Sequence, residues 1–366
     1  MTLSPSKSTR PRQEGPAGEP FPTMRWSRGA VVLLILAALL AGTVVLCLAL
    51  GRYSVGVRQV AEILGASIPG LGGVFAGDWS TSDERVVQLV RGPRVASAVL
   101  IGACLAVSGA AMQAAFRNPL VNPQILGVSS GASFGGVLAI ALGWSSTLLI
   151  SSALAGGIAV IVLVWAFSQR HGGGALTVVL SGVIVGAFFS ALVSIATYLA
   201  DPYDSLPSIV FWLMGSLASA GWPSTGMVAL TTAIGLLVIV PLRWRLNLLT
   251  LQDEEARSLG VPIAAMRWGV LAATALMVAG AVAVSGVIGW IGLVIPHAAR
   301  LLVGSDHRVL IPTAALLGGT YLLIIDTLAR TITAGEIPLG ALTALIGAPV
   351  FFLLLHTNKT RLWSGA

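Results

Sequence analysis

Apolar runs long enough to cross a lipid bilayer follow one another along nearly the whole chain. A helix rises 1.5 Å per residue, so roughly 20 apolar residues cover a ~30 Å hydrocarbon core. By that measure ten segments stand out: 29–50, 95–115, 126–143, 147–168, 175–199, 226–242, 265–285, 288–303, 309–330 and 340–356. The third and eighth are short and rich in glycine. Within lipid each segment must satisfy its own backbone polar groups, which selects helices. Ile209–Ala220 is too short to cross; following the polar Asp201-Pro-Tyr-Asp204, it reads as an interfacial or partly embedded helix. The expected class is an all-α polytopic membrane protein. Residues 1–28, rich in Pro, Ser and Arg, have little to bury and form a disordered tail; 29–356 form the ten-span domain and 357–366 a second tail.

Composition removes several alternatives. Only 10% of residues are charged, against about 25% in a soluble domain. The net charge of +7 sits at the ends of apolar runs, where topology requires it, and does not point to nucleic acid. Lysine occurs only as Lys7 and Lys359, so no Gly-Lys-Ser/Thr core and no P-loop is present; transport driven by ATP would need another chain to hydrolyse it. The first apolar run is too long for a signal-peptide core and no small-residue cleavage site follows, so it reads as a retained span. Cys47 and Cys104 lie in apolar runs as small hydrophobes. No metal-ligand spacing or nucleophile–base pair is present, so no metal, cofactor or catalytic residue is expected. Lys7, Arg10, Arg12, Arg25 and Arg28 favour a cytoplasmic N-terminus, and an even number of spans returns the C-terminus to the same side. Arg52, Arg58, Arg85, Arg91, Arg94 and Arg330 are then left outside.

Five stretches carry unusual chemistry. Arg91 and Arg94, three apart, share one helical face at the outer surface, where they meet headgroups or an acidic partner. In Arg117-Asn118-Pro119-Leu-Val-Asn-Pro123 the prolines end one span and start the next through a tight inner turn. In Leu251-Gln-Asp253-Glu254-Glu255-Ala256-Arg257-Ser-Leu259-Gly260 the acidic residues suit the start of a short helix and Gly260 its end. This inner helix is either a solvated loop or a lever held by a cytoplasmic protein. In Gly286–Arg308 glycines and Pro296 break an apolar run that Asp306, His307 and Arg308 close, which places it inside the bundle. Asp326 and Arg330, four apart, can pair along one helix face; an unpaired carboxylate at mid-membrane costs about 2.5–3.5 kcal/mol. Ala106-Val-Ser-Gly109 recurs as Ala283-Val-Ser-Gly286, each followed at equal spacing by a proline (119, 296) and a glycine (127, 304). Five spans per half would make this an inverted repeat.

These residues resemble the FecCD family, the permease subunits of type II ABC importers. The matching motifs are Arg-x-Pro-Arg at 91–94, Ser-Gly-Ala at 108–110, Arg-Asn-Pro-Leu at 117–120, Leu-Gly-x-x-x-Gly-Ala at 126–132, and Glu-x-Ala-Arg-x-Leu-Gly at 254–260. Ile-Gly-Leu-Val-Ile-Pro-His at 291–297, Asp-His-Arg at 306–308, Glu-Ile-Pro-Leu-Gly at 336–340 and Gly-Ala-Pro-Val-Phe at 347–351 continue the series. Gly92, Val121, Gln252 and Trp290 depart from the usual pattern. The resemblance implies a type II importer permease fold in the bacterial cytoplasmic membrane, surrounded by membrane lipid. It implies a second permease subunit (homo- or heterodimer), two cytoplasmic ABC ATPase subunits and an extracytoplasmic substrate-binding protein. It further implies docking of that protein on Arg91, Arg94 and Arg330, and ATPase coupling through Asp253, Glu254, Glu255, Ala256, Arg257, Leu259 and Gly260. The inner gate would lie near Gln169–Leu176, with His171, Gly172, Gly173 and Gly174, and Asn118, Pro119 and Pro296 belong to turns that move with it. The implied substrate is a ferric siderophore, with haem or cobalamin as alternatives. An ion-coupled secondary transporter would keep more ionisable groups at mid-membrane than Asp326 alone.

Overall fold

A computed structural model describes residues 24–67, 77–251, 255, 258, 260, 262–333 and 335–357. The chain runs as α1 (Met24–Ala49), α2 (Val57–Ala66), α3 (Thr81–Arg85), a π-helical turn Val86–Arg91, α4 (Gly92–Ala115), a 3-10 turn Pro123–Leu126, α5 (Val128–Ala141), α6 (Ser146–Arg170) and α7 (Ala175–Tyr198). It continues as α8 (Ser205–Leu213), α9 (Trp222–Leu242), α10 (Leu246–Leu249), α11 (Ile263–Ser285), α12 (Ile291–Val303), α13 (His307–Thr331) and α14 (Leu339–Thr357). No strand occurs among the described residues.

Every expected span has a helix, but the count of ten full crossings needs correcting. Seven helices are long and apolar enough to cross, and α14, with 19 residues, comes close; Val128–Ala141 and Ile291–Val303 are clearly shorter. Thirteen or fourteen residues make only about 20 Å of helix, less than the hydrocarbon core. α1 also starts at Met24, inside the stretch assigned to the tail; residues 1–23 and 358–366 lie outside the described residues. The embedded helix expected over 209–220 is shifted to Ser205–Leu213, ending where Gly215 turns left-handed at φ +81°.

Helix lengths preserve the repeat better than the sequence tetrads do. α4, α5, α6 and α7 have 24, 14, 25 and 24 residues. α11, α12, α13 and α14 have 23, 13, 25 and 19. The tetrads, however, are out of register: Gly109 lies inside α4, whereas Gly286 ends α11 at φ +67°.

α4 is the central post. It packs on α13, α12, α11 and α9, and nearly all of Ile101–Ala115 is buried. Close approach is possible because side chains are missing on both sides: a Cβ at Gly102 would overlap the Gly318 carbonyl, and one at Gly109 the Gly292 carbonyl. In lipid, where burial of apolar surface drives little, such backbone proximity supplies much of the helix association. α1 and α9 flank this post, α6 and α7 pack outside it on α5, and all four expose most of their apolar side chains.

Candidate functional site

The two ends of the bundle differ in chemistry. At the end where α1 and α13 finish and α4 begins, the π-helical turn aims neighbouring arginines at different partners. Arg91 is 6% exposed, and its guanidinium donates to the carbonyls of Leu48 (2.6 Å), Ala49 (2.9 Å) and Tyr53. These carbonyls end α1 and begin the following loop, so Arg91 caps the helix. Arg94 turns to α13. Its Nε and Nη2 donate to the two oxygens of Asp326 at 2.9–3.1 Å, and its Nη1 and Nη2 donate to Glu336 at 2.7 and 3.0 Å. Arg330 donates to the carbonyls of Leu50 (2.9 Å) and Cys47 (2.5 Å).

The expected ion pair of Asp326 with Arg330 is present, but it is the longer of two. Arg330 Nε stands 3.9 Å from Asp326, whereas Arg94 forms the close, forked contact. Planar guanidinium and carboxylate groups match best in that forked geometry, and Arg94 reaches it from another helix. Arg91 and Arg94 do not present one exposed face: both guanidinium groups turn inward. Glu336, part of a matched motif but given no role from the sequence, is the group that completes the cluster. Its signal was charge balance, since three arginines and one buried aspartate leave a second acid wanting.

Between the two ends, the chain break at 286–290 meets the end of α8. Gly286 has no room for a Cβ beside the Trp212 carbonyl, and Ser216 N–H donates to the Ser285 carbonyl at 2.9 Å. Trp290, at φ +68°, is a non-glycine residue in the left-handed region, a strained conformation held by packing on Gly347 of α14. Pro296, inside α12, has no N–H for the Gly292 carbonyl; Gln113 Nε2 approaches that oxygen instead at 3.4 Å. A cavity of about 20 Å³ lies where Asn122, Pro123 and Gln124 meet Gly289 and Trp290. That is room for about one water. Among the described residues no group of three or more His, Cys, Asp or Glu could hold a metal.

At the opposite end the arginines bond to the backbone and an asparagine joins two elements. Arg117, at φ +50°, donates to the Leu251 carbonyl at 3.0 Å, and buried Arg267 to the Ala115 carbonyl at 3.2 Å. Together they moor both sides of the 251–262 segment to the foot of α4. Asn118 Oδ1 accepts from Leu120 N–H at 2.9 Å, so the Asn118-Pro119 turn is a local hydrogen-bonded one. Leu246 and Leu249 bury α10, and Asn247 fastens it to the α12–α13 turn. The Asn247 amide donates to Asp306 at 2.9 Å and accepts from His307 N–H at 3.0 Å; its oxygen also lies 2.6 Å from the His307 ring. Burial pushes the Asp306 carboxyl up, but hydrogen bonds from Arg308 N–H and Asn247 and the nearby positive charge outweigh it, holding the carboxyl below its ordinary range. Sequence reading missed Asn247; a lone amide in an otherwise apolar Leu246–Leu249 stretch was its only signal.

Of the expected coupling residues, Asp253, Glu254, Ala256, Arg257 and Leu259 lie outside the described residues. Glu255 and Ser258 are helical and exposed, Ser258 Oγ donates to the Glu255 carbonyl at 2.7 Å, and Gly260 follows at φ +73°. Those three fit a short helix closed by glycine. His171, Gly172, Gly173 and Gly174 form the turn between α6 and α7, with Gly172 and Gly173 at φ +91° and +65° and no neighbour within 4 Å of either added Cβ.

Apolar helices long enough to cross a bilayer, with charges paired at one end and loops tied to the backbone at the other, make a multi-pass membrane bundle. The chain belongs to the FecCD transport family, whose family model matches residues 33–357. It is 44% identical over 329 residues to the molybdate import system permease protein MolB of Haemophilus influenzae, covering 90% of this chain and 96% of that one. It is 41% identical over 296 residues to the hemin transport system permease protein HmuU of Yersinia pestis, covering 77% and 88%. A solved inward-facing structure assigned to the metal-chelate type of ABC transporter superposes with a TM-score of 0.81 at 41% identity, covering 90% of this chain and 99% of that one. The chain is thus a multi-pass permease of an ABC importer.

Proposed function

We propose that this permease carries a metal in complexed form, with a ferric siderophore as the first reading and molybdate as the second. The first follows the family motifs and the metal-chelate neighbour; the second is favoured by the 44% identity to a molybdate permease over nearly its full length. The observation that carries the general reading is the likeness to the metal-chelate transporter, with a TM-score of 0.81 at 41% identity. The cavity of about 20 Å³ beside Trp290 cannot admit a chelate or an oxyanion, and the cavity of about 700 Å³ between α1, α2, α4 and Trp222 is lined largely by apolar side chains; in this reading the substrate travels between two permease subunits rather than through one. Selection then rests with the binding protein.

In this reading the arginine end faces outward and both termini lie in the cytoplasm of a bacterial cell. The extracytoplasmic binding protein docks around Arg91, Arg94 and Arg330. Two separate ATPase subunits hold the 253–260 segment, and their closure moves α10, the foot of α4 and the glycine turn at 172–174. Mooring by Arg117, Arg267 and Asn247 supports the coupling role, because a lever must be tied to what it moves. The test is uptake in cells lacking the chain: radioactive ferric siderophore and molybdate are offered separately, with and without the restored gene. Restored iron uptake alone supports the first reading, restored molybdate uptake alone the second, and restoration of neither defeats both.

A further inference from the structure

The geometry points to Glu336 as an internal latch, a carboxylate of the chain itself that occupies the Arg94 guanidinium until a docking partner's carboxylate replaces it. This rests on the reading of the arginine end as the docking face. The two acids on Arg94 are not equivalent. Asp326 is wholly buried on α13 and takes Nε and Nη2, so it holds the arginine in place. Glu336 lies on the loop between α13 and α14, its side chain is 27% exposed, and it takes Nη1, which Asp326 leaves free, and shares Nη2. Removing Asp326 would strand a buried cation. Removing Glu336 would leave a guanidinium that still has a partner and has gained access to solvent.

Charge favours an exchange over a simple addition. Arg91, Arg94 and Arg330 against Asp326 and Glu336 give three positive and two negative groups, a net of +1. An incoming acid that displaces Glu336 keeps Arg94 doubly paired throughout, so no step exposes a buried, uncompensated charge. Glu336, already partly in water, turns into solvent.

The displaced loop is tied to the middle of the bundle. Ile337 N–H donates to the Ala329 carbonyl at 3.1 Å, Leu339 N–H to Gly215 at 2.9 Å and Gly340 N–H to Met214 at 3.0 Å. A Cβ on Gly340 would stand 2.6 Å from the Met214 carbonyl, so loop and α8 turn are in direct backbone contact. Releasing Glu336 therefore loosens the start of α14 and the end of α8 together. The latch converts docking at the mouth into freedom of the elements beneath it.

A double-mutant cycle tests this on the complete importer in nanodiscs at low ionic strength, using the importer's own purified binding protein as the probe. Four forms are compared: unchanged, Glu336→Gln, the pair Arg94→Gln with Asp326→Asn, and all three together. The pair removes Arg94 together with Asp326, so neither strands the other, and Arg330 keeps its contacts to the Leu50 and Cys47 carbonyls. Glu336→Gln should tighten docking about three- to tenfold, and the pair should weaken it about tenfold or more. In the pair's background Glu336→Gln should change nothing. If the pair weakens docking but Glu336→Gln leaves it equal or weaker, the latch is wrong and the docking face stands. If the pair docks like the unchanged importer, the docking face is wrong and the latch falls with it. A gain from Glu336→Gln that persists without Arg94 also overturns the latch.

Discussion

The two ends of this bundle hold their shape by different forces. At the arginine end, Arg91 and Arg330 donate to main-chain carbonyls, but Arg94 pairs with two carboxylates 232 and 242 residues away in sequence. At the opposite end arginines donate to main-chain carbonyls, and one asparagine ties three groups together. Ion pairs can trade partners without leaving charge exposed, whereas a backbone carbonyl moves only with its helix. The first arrangement suits a surface that meets and releases another protein; the second suits a rigid mechanical link.

Single-residue changes separate these two modes. The largest effect is expected at the arginine end. Asp326→Ala leaves Arg94 and Arg330 without their buried counter-charge and should cost about 3–5 kcal/mol, read as loss of folded protein in detergent thermal melts. The pair Arg94→Gln with Asp326→Asn should recover most of that loss. If Asp326→Ala melts like the unchanged protein, the cluster does not hold this end together. At the opposite end Asn247→Ala removes three hydrogen bonds but strands no charge, for about 1–3 kcal/mol of local stability. Hydrogen exchange at 246–251 and 305–310 should then accelerate roughly 10- to 100-fold while the arginine end is unchanged. Acceleration spread evenly over the chain would mean that the two ends are not independent.

The smallest effect is a pH dependence. The Asp306 carboxyl is held below its ordinary range in the folded chain, so its contribution is present above the unfolded carboxylate value of about 3.9. It is lost as pH falls through the lower, folded value. Because Asp306 is exposed, solvent screening keeps this below about 1 kcal/mol. Melting temperatures of unchanged and Asp306→Asn protein should therefore converge only below about pH 4. Equal melting at pH 7 would remove Asp306 from the mooring.

Hydropathy made the order of the helices legible because each must satisfy its backbone alone, a property local to the segment. The short third and eighth helices also announced themselves through glycine. Partner choice was legible only where it was local. The four-residue spacing of Asp326 and Arg330 favoured a local pair, and nothing local to position 326 marks Arg94 across the fold. Likewise the three-residue spacing of Arg91 and Arg94 implied a shared exposed face, but the π-helical turn before them and the carbonyls ending α1 draw Arg91 away. The tetrad repeat found the two halves but misplaced their register, since Gly109 serves close packing within a helix and Gly286 serves a break.

Pro296 has a mechanical consequence. An ordinary α-helix resists flexing because opening its outer side stretches a ladder of intact rungs. In α12 one rung is missing before any force is applied, and its oxygen leans on the amide of Gln113 in the central post. The compliance of α12 is thus concentrated at a single joint, directly beside α4. A small tilt about that joint would swing the Asp306 turn through an arc while the Trp290 end stays still, giving the bundle an elbow where a straight rod would transmit only a push.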